Sequence, residues 1–327
     1  MNGELGIQSV LDAYERIRGD VVRTPLLSSP LLNSVCHAEI LIKPETLQHT
    51  GSFKIRGALS FMRLMTDEQR KRGVVSTSSG NHGYAVAEAA RQLSIDATIL
   101  MPDSAPQIKR DNVLRTGAKL MFCGPDDDRI ALARALADEG GAVYVPAVDH
   151  HAVIAGQGTV TLEALRQAED IWHEKPDIEI LPVGGGGLAA GAATVLAAQS
   201  RQTRLIGVEP EGHDDTRRSL DSGRVITNAP GIRSMCDALL SGSPGQLSFP
   251  VSRAYGMSIV SVTDDDVARA MMFALRELKL VTEPSGAVGL AALLSGGISS
   301  QGRRILLILS GGNTDFITMP SHPTPAA

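Results

Sequence analysis

Lys54 stands in the stretch Thr50-Gly51-Ser52-Phe53-Lys54-Ile55-Arg56-Gly57-Ala58, between a small-residue turn and a helix-compatible run from Ile55 to Met65. Glycine lets backbone approach a ligand closely, and Ser52 is expected to cap the helix that follows. A lysine amine taken out of water, or set beside another cation, loses basicity and can form a Schiff base with a carbonyl compound. By itself a lysine near a helix start is more often a solvated surface charge. Three further stretches change those odds: Ser78-Ser79-Gly80-Asn81-His82-Gly83, the tetraglycine Gly184-Gly185-Gly186-Gly187, and Ser310-Gly311-Gly312-Asn313. All read as loops at strand ends, where ligands bind in open α/β sheets.

The elements that must position these loops alternate. Strands are expected at Glu39–Lys43, Val74–Thr77, Ala97–Met101, Lys119–Phe122, Ala142–Val145, Ile178–Val183, Arg204–Val208, Ile259–Val262 and Ile305–Leu309. Helical spacing fills most intervals: Ser9–Arg18, the run after Lys54, an alanine-rich helix to Leu93, Pro106–Arg115, Asp126–Glu139, Val153–Ala168, a small-residue helix to Gln199, Asp264–Lys279 and Glu283–Leu294. Glu209 to Asp215 reads as a polar loop, and Asn228 to Pro250, rich in Gly, Pro and Ser, as a long irregular segment. Such alternation argues for an α/β fold with parallel sheets covered on both faces. The pattern restarts near residue 150, which suggests two open α/β domains. The larger takes residues 1–75 and 150–319, the smaller 76–149, and 320–327 form a disordered tail.

Composition excludes several classes. With 327 residues, 43% hydrophobic and 20% charged, the chain can bury a sizeable core. The net charge is −5, with scattered Lys and Arg and only 3% aromatics, so neither a basic footprint nor stacking platforms for nucleic acid exist. Cys36, Cys123 and Cys236 are an odd, widely spaced set, which argues for a reducing compartment and against a disulfide frame or structural zinc. The N-terminus lacks a basic-then-apolar signal, and the longest apolar run, Leu188 to Ala198, is too short to span a bilayer. A soluble, cytoplasmic protein with a small-molecule ligand is expected.

The tetraglycine lies between a strand and a helix, so its N–H groups and the helix dipole can hold a phosphate; close strand–helix packing is the plainer alternative. Gly184-x-Gly186-x-x-Ala189 also matches a nicotinamide-dinucleotide fingerprint, with Glu209 lying 23 residues beyond Gly186. That reading sits mid-chain and leaves Lys54 and the other loops without a role.

Taken together, Glu45-Thr46-Leu47-Gln48-x-Thr50-Gly51-Ser52-Phe53-Lys54-x-Arg56-Gly57-Ala58 resembles the lysine motif of fold-type II pyridoxal-phosphate enzymes, in the serine/threonine dehydratase and serine racemase family. Ser78 to Gly83, the tetraglycine, Ala155-Gly156-Gln157-Gly158-Thr159 and Ser310 to Asn313 match it too, in the family's order. The similarity runs from Arg23-Thr24-Pro25-Leu26 to the last strand, and five motifs in register are a specific signal. It implies a tryptophan synthase β-like architecture, the larger domain binding the cofactor and the smaller the substrate carboxylate.

The resemblance implies roles residue by residue. Lys54 holds pyridoxal 5'-phosphate through a Schiff base and, once freed by substrate, removes the Cα proton. Phe53 neighbours the ring, Asn81 bonds its 3'-hydroxyl, Gly184, Gly185, Gly186 and Gly187 bind the phosphate, and Ser310 meets the pyridine nitrogen. Ser78, Ser79, Gly80, Asn81 and His82 receive the substrate carboxylate. A hydroxyl rather than an aspartate at the ring nitrogen leaves the pyridine neutral and weakens the electron sink, which favours elimination over transamination. In racemases of the family the residue matching Ser79 faces the lysine across the substrate; a carboxylate-binding or loop-capping serine is the alternative. Glu209, Asp215 and the backbone carbonyl of His213 match a loop that binds a divalent cation, and two carboxylates with a carbonyl suit Mg²⁺ or Ca²⁺; a solvated acidic loop is the plainer alternative.

Three residues bear on substrate, two of them departures from the family pattern (His49 and His150). His49 precedes the lysine turn, His150 stands where many relatives have an acidic residue, and Arg129 follows the acidic run Asp126 to Asp128. Each is a candidate for meeting a second substrate carboxylate, as in 3-hydroxyaspartate, although a loop histidine bonded to backbone and an exposed arginine are the blander readings. The expected activity is a dehydratase (ammonia-lyase) acting on serine, threonine or threo-3-hydroxyaspartate. An amino-acid racemase with dehydratase side activity is the alternative, and a non-catalytic ligand-binding module is a third possibility. Family members of this type are commonly homodimers, and no room is expected for a C-terminal regulatory domain.

Overall fold

The computed structural model describes residues 5–78, 80–124, 127–229 and 231–315; Ser79, Asp126 and the expected tail from 320 lie outside the described residues. In chain order the first half contains α1 (Ile7–Ile17), α2 (Pro30–Cys36), β1 (Glu39–Pro44), α3 (Lys54–Met62), α4 (Asp67–Arg72), β2 (Val74–Thr77), α5 (Asn81–Gln92), β3 (Ala97–Pro102), α6 (Gln107–Leu114), β4 (Lys119–Cys123), α7 (Arg129–Gly140) and β5 (Val143–Tyr144). The second half contains α8 (His151–Trp172), β6 (Ile178–Pro182), α9 (Gly187–Gln199), β7 (Arg204–Pro210), α10 (Asp215–Ser222), α11 (Ser248–Tyr255), β8 (Ser258–Val262), α12 (Asp264–Phe273), α13 (Pro284–Leu294) and β9 (Arg304–Leu309).

The strands form two parallel sheets, one in the order β1-β9-β6-β7-β8 and one in the order β4-β3-β2-β5. Side chains alternate across the larger sheet as strand geometry requires. Ile305, Leu307 and Leu309 of β9 join the core under α12 and α13, whereas Leu306 and Ile308 join the core under α8 and α9. Both faces are therefore covered, which explains why these strands read as unbroken apolar runs. Around the smaller sheet, α3 and α5 bury Ile55, Leu59, Met62, Ala85 and Ala89 with Val74, Ile99 and Met101. Among the described residues no helix is long and apolar enough to cross a membrane.

Helix α3 touches both halves of this arrangement, and glycines bring it close to α8. A Cβ on Gly156 would lie 2.5 Å from the Arg56 carbonyl oxygen, and one on Gly57 would strike the Gln157 side chain. Gly158 meets Gly191 of α9 in the same way. The glycines of the Ala155–Thr159 motif thus act by letting helix backbones approach closely.

Some local expectations are corrected. Ser52 does not cap α3: the cap position falls on Phe53 without a side-chain bond, and Ser52 bridges to Gly311 through its backbone instead. The Glu209–Asp215 segment is not simply a loop, since β7 continues to Pro210 and Asp215 opens α10. The irregular stretch after Asn228 already contains the start of α11 at Ser248. The helix expected over Asp264–Lys279 ends as α at Phe273 and continues as one π-helical turn, Ala274–Leu278, closed by Lys279 at φ 57°.

Candidate active site

The lysine turn, the Ser78 loop, the tetraglycine and the Ser310 turn follow β1, β2, β6 and β9 respectively, at their carboxyl ends. Two backbone bonds join the first to the last: Phe53 N–H donates to the Ser310 carbonyl at 3.1 Å, and Gly312 N–H to the Gly51 carbonyl at 2.8 Å. Gly51 adopts φ +64°, and a Cβ there would lie 2.7 Å from Asn313 Oδ1. Only glycine meets both demands without strain. The turn therefore delivers Lys54 as the first residue of α3.

Lys54 lines a cleft of about 540 Å³ together with Ser78, Gly80, Asn81, His82 and Gly185. Its Nζ donates to the Ala147 carbonyl at 3.2 Å and lies 5.2 Å from the centre of the Phe53 ring. Burial brings its pKa down to about 8. His82 Nε2 lies 3.1 Å from the Val145 carbonyl, and burial, then the charge of Lys54, push its pKa down to about 3. The imidazole is therefore neutral at physiological pH. Gly80 N–H donates to Ser78 Oγ at 3.0 Å, and α5 starts at Asn81 with no side-chain cap. Those features leave N–H groups of the helix start facing an anion-binding position.

Asn81 donates through Nδ2 to Glu283 and accepts from Asn313 Nδ2 at 2.8 Å. Glu283, the residue before α13 and anchored by its N–H to the Gly311 carbonyl at 3.0 Å, is buried, with Oε2 lacking a partner. Burial raises its pKa to about 7, although Lys109 pulls it down. Lys109 forms an ion pair across the cleft with Asp237. Sequence reading missed Glu283, Lys109 and Asp237. The Thr282-Glu283-Pro284 start of α13 was a signal for a helix, not for a carboxyl beside Asn81.

The tetraglycine runs from β6 into α9, and Gly186 takes φ +87°. A Cβ on Gly185 would lie 2.9 Å from Val148, and one on Gly186 2.9 Å from Ser248 Oγ. Side chains are excluded and the N-terminus of α9 has no side-chain cap, so the loop is a cradle suited to phosphate. With an amine of lowered basicity in the same cleft, these residues fit a phosphorylated aldehyde.

Behind Lys54 lies a buried ion cluster. Arg56 donates to Glu45 at 2.7 and 2.9 Å and to Glu163 at 2.9 Å through two nitrogens, and Lys43 donates to Glu163 at 2.9 Å. Burial alone would raise the Glu45 carboxyl, but Arg56 outweighs it and holds the pKa below its usual value.

The remaining candidates are dispersed. Glu209 accepts from the N–H groups of Thr216 and Arg217 at 3.1 and 3.0 Å, so it caps α10. Asp215 accepts from Asn228 at 2.6 Å and leaves a buried Oδ2 without a partner. Burial, with Asp215 as a further cause, raises Glu209 to about 7, and burial raises Asp215 to about 6. The His213 ring meets the Ile232 carbonyl at 3.0 Å. No three His, Cys, Asp or Glu side chains gather as a metal site among the described residues. His49 is exposed. His150 caps α8 by accepting from Ala152 N–H at 3.1 Å, and it lines an adjoining cavity with Phe61 and Arg134. Arg129 does line the cleft with Lys54.

Fold and site together define a pyridoxal-phosphate enzyme, and the comparisons agree. The chain belongs to the pyridoxal-phosphate dependent enzyme family, whose model matches residues 17–311. It is 37% identical over 309 residues to an L-threo-3-hydroxyaspartate ammonia-lyase from Pseudomonas sp., covering 94% of this chain and 95% of that protein. It is 36% identical over 310 residues to an L-threonine ammonia-lyase from Thermotoga maritima, covering 94% of this chain and 76% of that one. Maize serine racemase superposes with a TM-score of 0.90 at 36% identity, over 96% of this chain and 95% of the other.

Proposed function

We propose that the protein is a pyridoxal-phosphate-dependent ammonia-lyase that removes water from a β-hydroxy amino acid, with threo-3-hydroxyaspartate as its substrate. The observation that carries this reading is the Lys54 amine, near pKa 8, in one cleft with the phosphate cradle and the Ser78–His82 loop. At pH 8 about half of such an amine is free base, against well under about 1% at an ordinary lysine pKa. It can therefore attach the cofactor and later take a proton. The cofactor, when bound, supplies the sink for the electron pair left at Cα. Gly184 to Gly187 would hold its phosphate, and Phe53, Asn81 and Ser310 are the residues that would meet its ring. The loop from Ser78 to His82, with neutral His82, orients the α-carboxylate. Lys54 accepts the Cα proton and passes it to the departing β-hydroxyl, which leaves as water, and the enamine product tautomerises and takes up water to give a 2-oxo acid and ammonia. Arg129 and Arg134 line the same cleft, in which Asp237 pairs with Lys109 and Asp149 accepts backbone N–H bonds, so the two arginines are the groups left to meet a second carboxylate; a dicarboxylate fits them better than serine does.

A racemase is the second reading, favoured by Ser78 and Gly80 on either side of Ser79 lining the same cleft as Lys54. We also infer a divalent cation, Mg²⁺ or Ca²⁺, at Glu209 and Asp215. The Asp215 charge beside Glu209 and the unpartnered Asp215 Oδ2 suit a dication, with His213 adding its carbonyl. A homodimer and a cytoplasmic location complete the proposal, the latter supported by three buried, unpaired cysteines.

The test is release of 2-oxo acid and ammonia from L- and D-serine, L- and D-threonine and the four 3-hydroxyaspartate isomers. Lys54→Ala should abolish turnover and the absorbance of lysine-bound cofactor. Arg129→Leu should depress turnover of 3-hydroxyaspartate selectively, and equal losses on serine would remove the dicarboxylate assignment. Ser79→Ala should spare elimination; if the wild type interconverts enantiomers and this variant does not, the second reading stands.

A further inference from the structure

The connector between β5 and α8 touches both Lys54 and the phosphate cradle, although no sequence motif marks it. Three of its residues act in succession. The Ala147 carbonyl accepts from Lys54 Nζ at 3.2 Å. The Val148 side chain closes over Gly185 and Gly187, where added Cβ atoms would lie 2.9 and 3.4 Å from it. Asp149 accepts from Gln246 N–H at 2.6 Å and Leu247 N–H at 3.2 Å. Those two amides immediately precede α11, so the carboxylate also faces the positive end of that helix.

The segment that Asp149 grips is itself bonded to the phosphate cradle. Gly245 N–H donates to the Gly185 carbonyl at 3.1 Å, and Ser248 Oγ donates to the same oxygen at 2.7 Å. Gly245 lies against Asp149, since a Cβ there would sit 2.3 Å from Asp149 Oδ1. Two donors on one carbonyl fix the orientation of the Gly185–Gly186 peptide, whose N–H faces away from that carbonyl. Asp149 therefore acts on the cradle through residues 245–248.

Resting on the pyridoxal-phosphate reading, we propose that Asp149 is a positioning residue for the cofactor's phosphate, holding the 245–248 segment so that the Gly185–Gly186 peptide presents the Gly186 N–H in a fixed orientation. A preset cradle costs less ordering on binding than a loose one. The charge of Asp149 works against a neighbouring phosphate, so a gain through geometry and a loss through repulsion have opposite signs and can be separated.

The experiment titrates the cofactor-free full chain with pyridoxal phosphate and with pyridoxal, which lacks the phosphate, reading the absorbance of the lysine adduct. It compares wild type, Asp149→Ala and Asp149→Asn, with thermal unfolding of each cofactor-free protein alongside. The proposal expects Asp149→Ala to weaken pyridoxal phosphate by roughly tenfold, the size of a lost charge-assisted bond, and pyridoxal by less than about twofold. Asp149→Asn, which keeps one acceptor oxygen, should fall between, and it decides the matter if the alanine variant does not fold. Equal losses for both ligands, no loss for either, or tighter pyridoxal phosphate binding by Asp149→Asn would each overturn the proposal. A wild type that binds neither ligand would instead overturn the pyridoxal-phosphate reading on which it rests.

Discussion

Two polar regions flank Lys54, and they are built on opposite principles. Behind it, Lys43, Glu45, Arg56 and Glu163 are two cations and two anions, all buried, with Thr24, Thr159 and Gln167 taking further bonds. In front of it, His82 Nδ1 and Glu283 Oε2 are buried without partners. Buried polar atoms are seldom left so. The difference is that between a mount and a receptor. Ion pairing behind the lysine fixes where α3 begins, while unpaired groups before it keep bonding capacity for a ligand.

The largest effect should come from breaking the mount. Arg56→Met leaves Glu45 buried without its paired cation and Glu163 with Lys43 alone, and should cost about 3–5 kcal/mol in urea unfolding. A loss below about 1 kcal/mol would mean that the cluster is incidental.

The receptor side should behave in the opposite sense. The folded pKa of Glu283, about 7, lies above its unfolded value of 4.5. The native state thus holds the extra proton between those values, and the contribution to stability falls as pH rises through that window. Glu283→Gln removes the charge, so the cofactor-free variant should gain about 1–3 kcal/mol over wild type at pH 8 and nothing at pH 4. Unfolding midpoints at both pH values check this, and destabilisation at pH 8 would show that Glu283 is a satisfied structural group.

Smallest should be the cross-cleft pair. The Lys109 side chain is 7% exposed but that of Asp237 is 39% exposed, so solvent screens much of their attraction. Asp237→Asn should change stability by less than about 1 kcal/mol. It should alter KM more than kcat, because Lys109 lines the substrate cleft. A change in kcat alone, measured by steady-state kinetics, would place the pair outside substrate binding.

Much of this was legible from the residues themselves. The order of nine strands along the chain, the α/β class, and the placing of the turn before Lys54, the tetraglycine and Ser310 after strands all follow from local pattern, since apolar runs and glycine clusters state backbone preference directly. Arg56 was visible only as part of a motif. Its partners, Glu45 and Glu163, stand 11 and 107 residues away, and no local signal joins them. Glu283 escaped because its partners, the Gly311 carbonyl and Asn81, come from distant parts of the chain. Sequence by itself determined which residues could do chemistry and the class of fold carrying them. Tertiary structure decided which carboxylates are neutralised and which stay unpaired. Burial and pairing depend on chain segments meeting in space, and pKa follows from those meetings rather than from residue type.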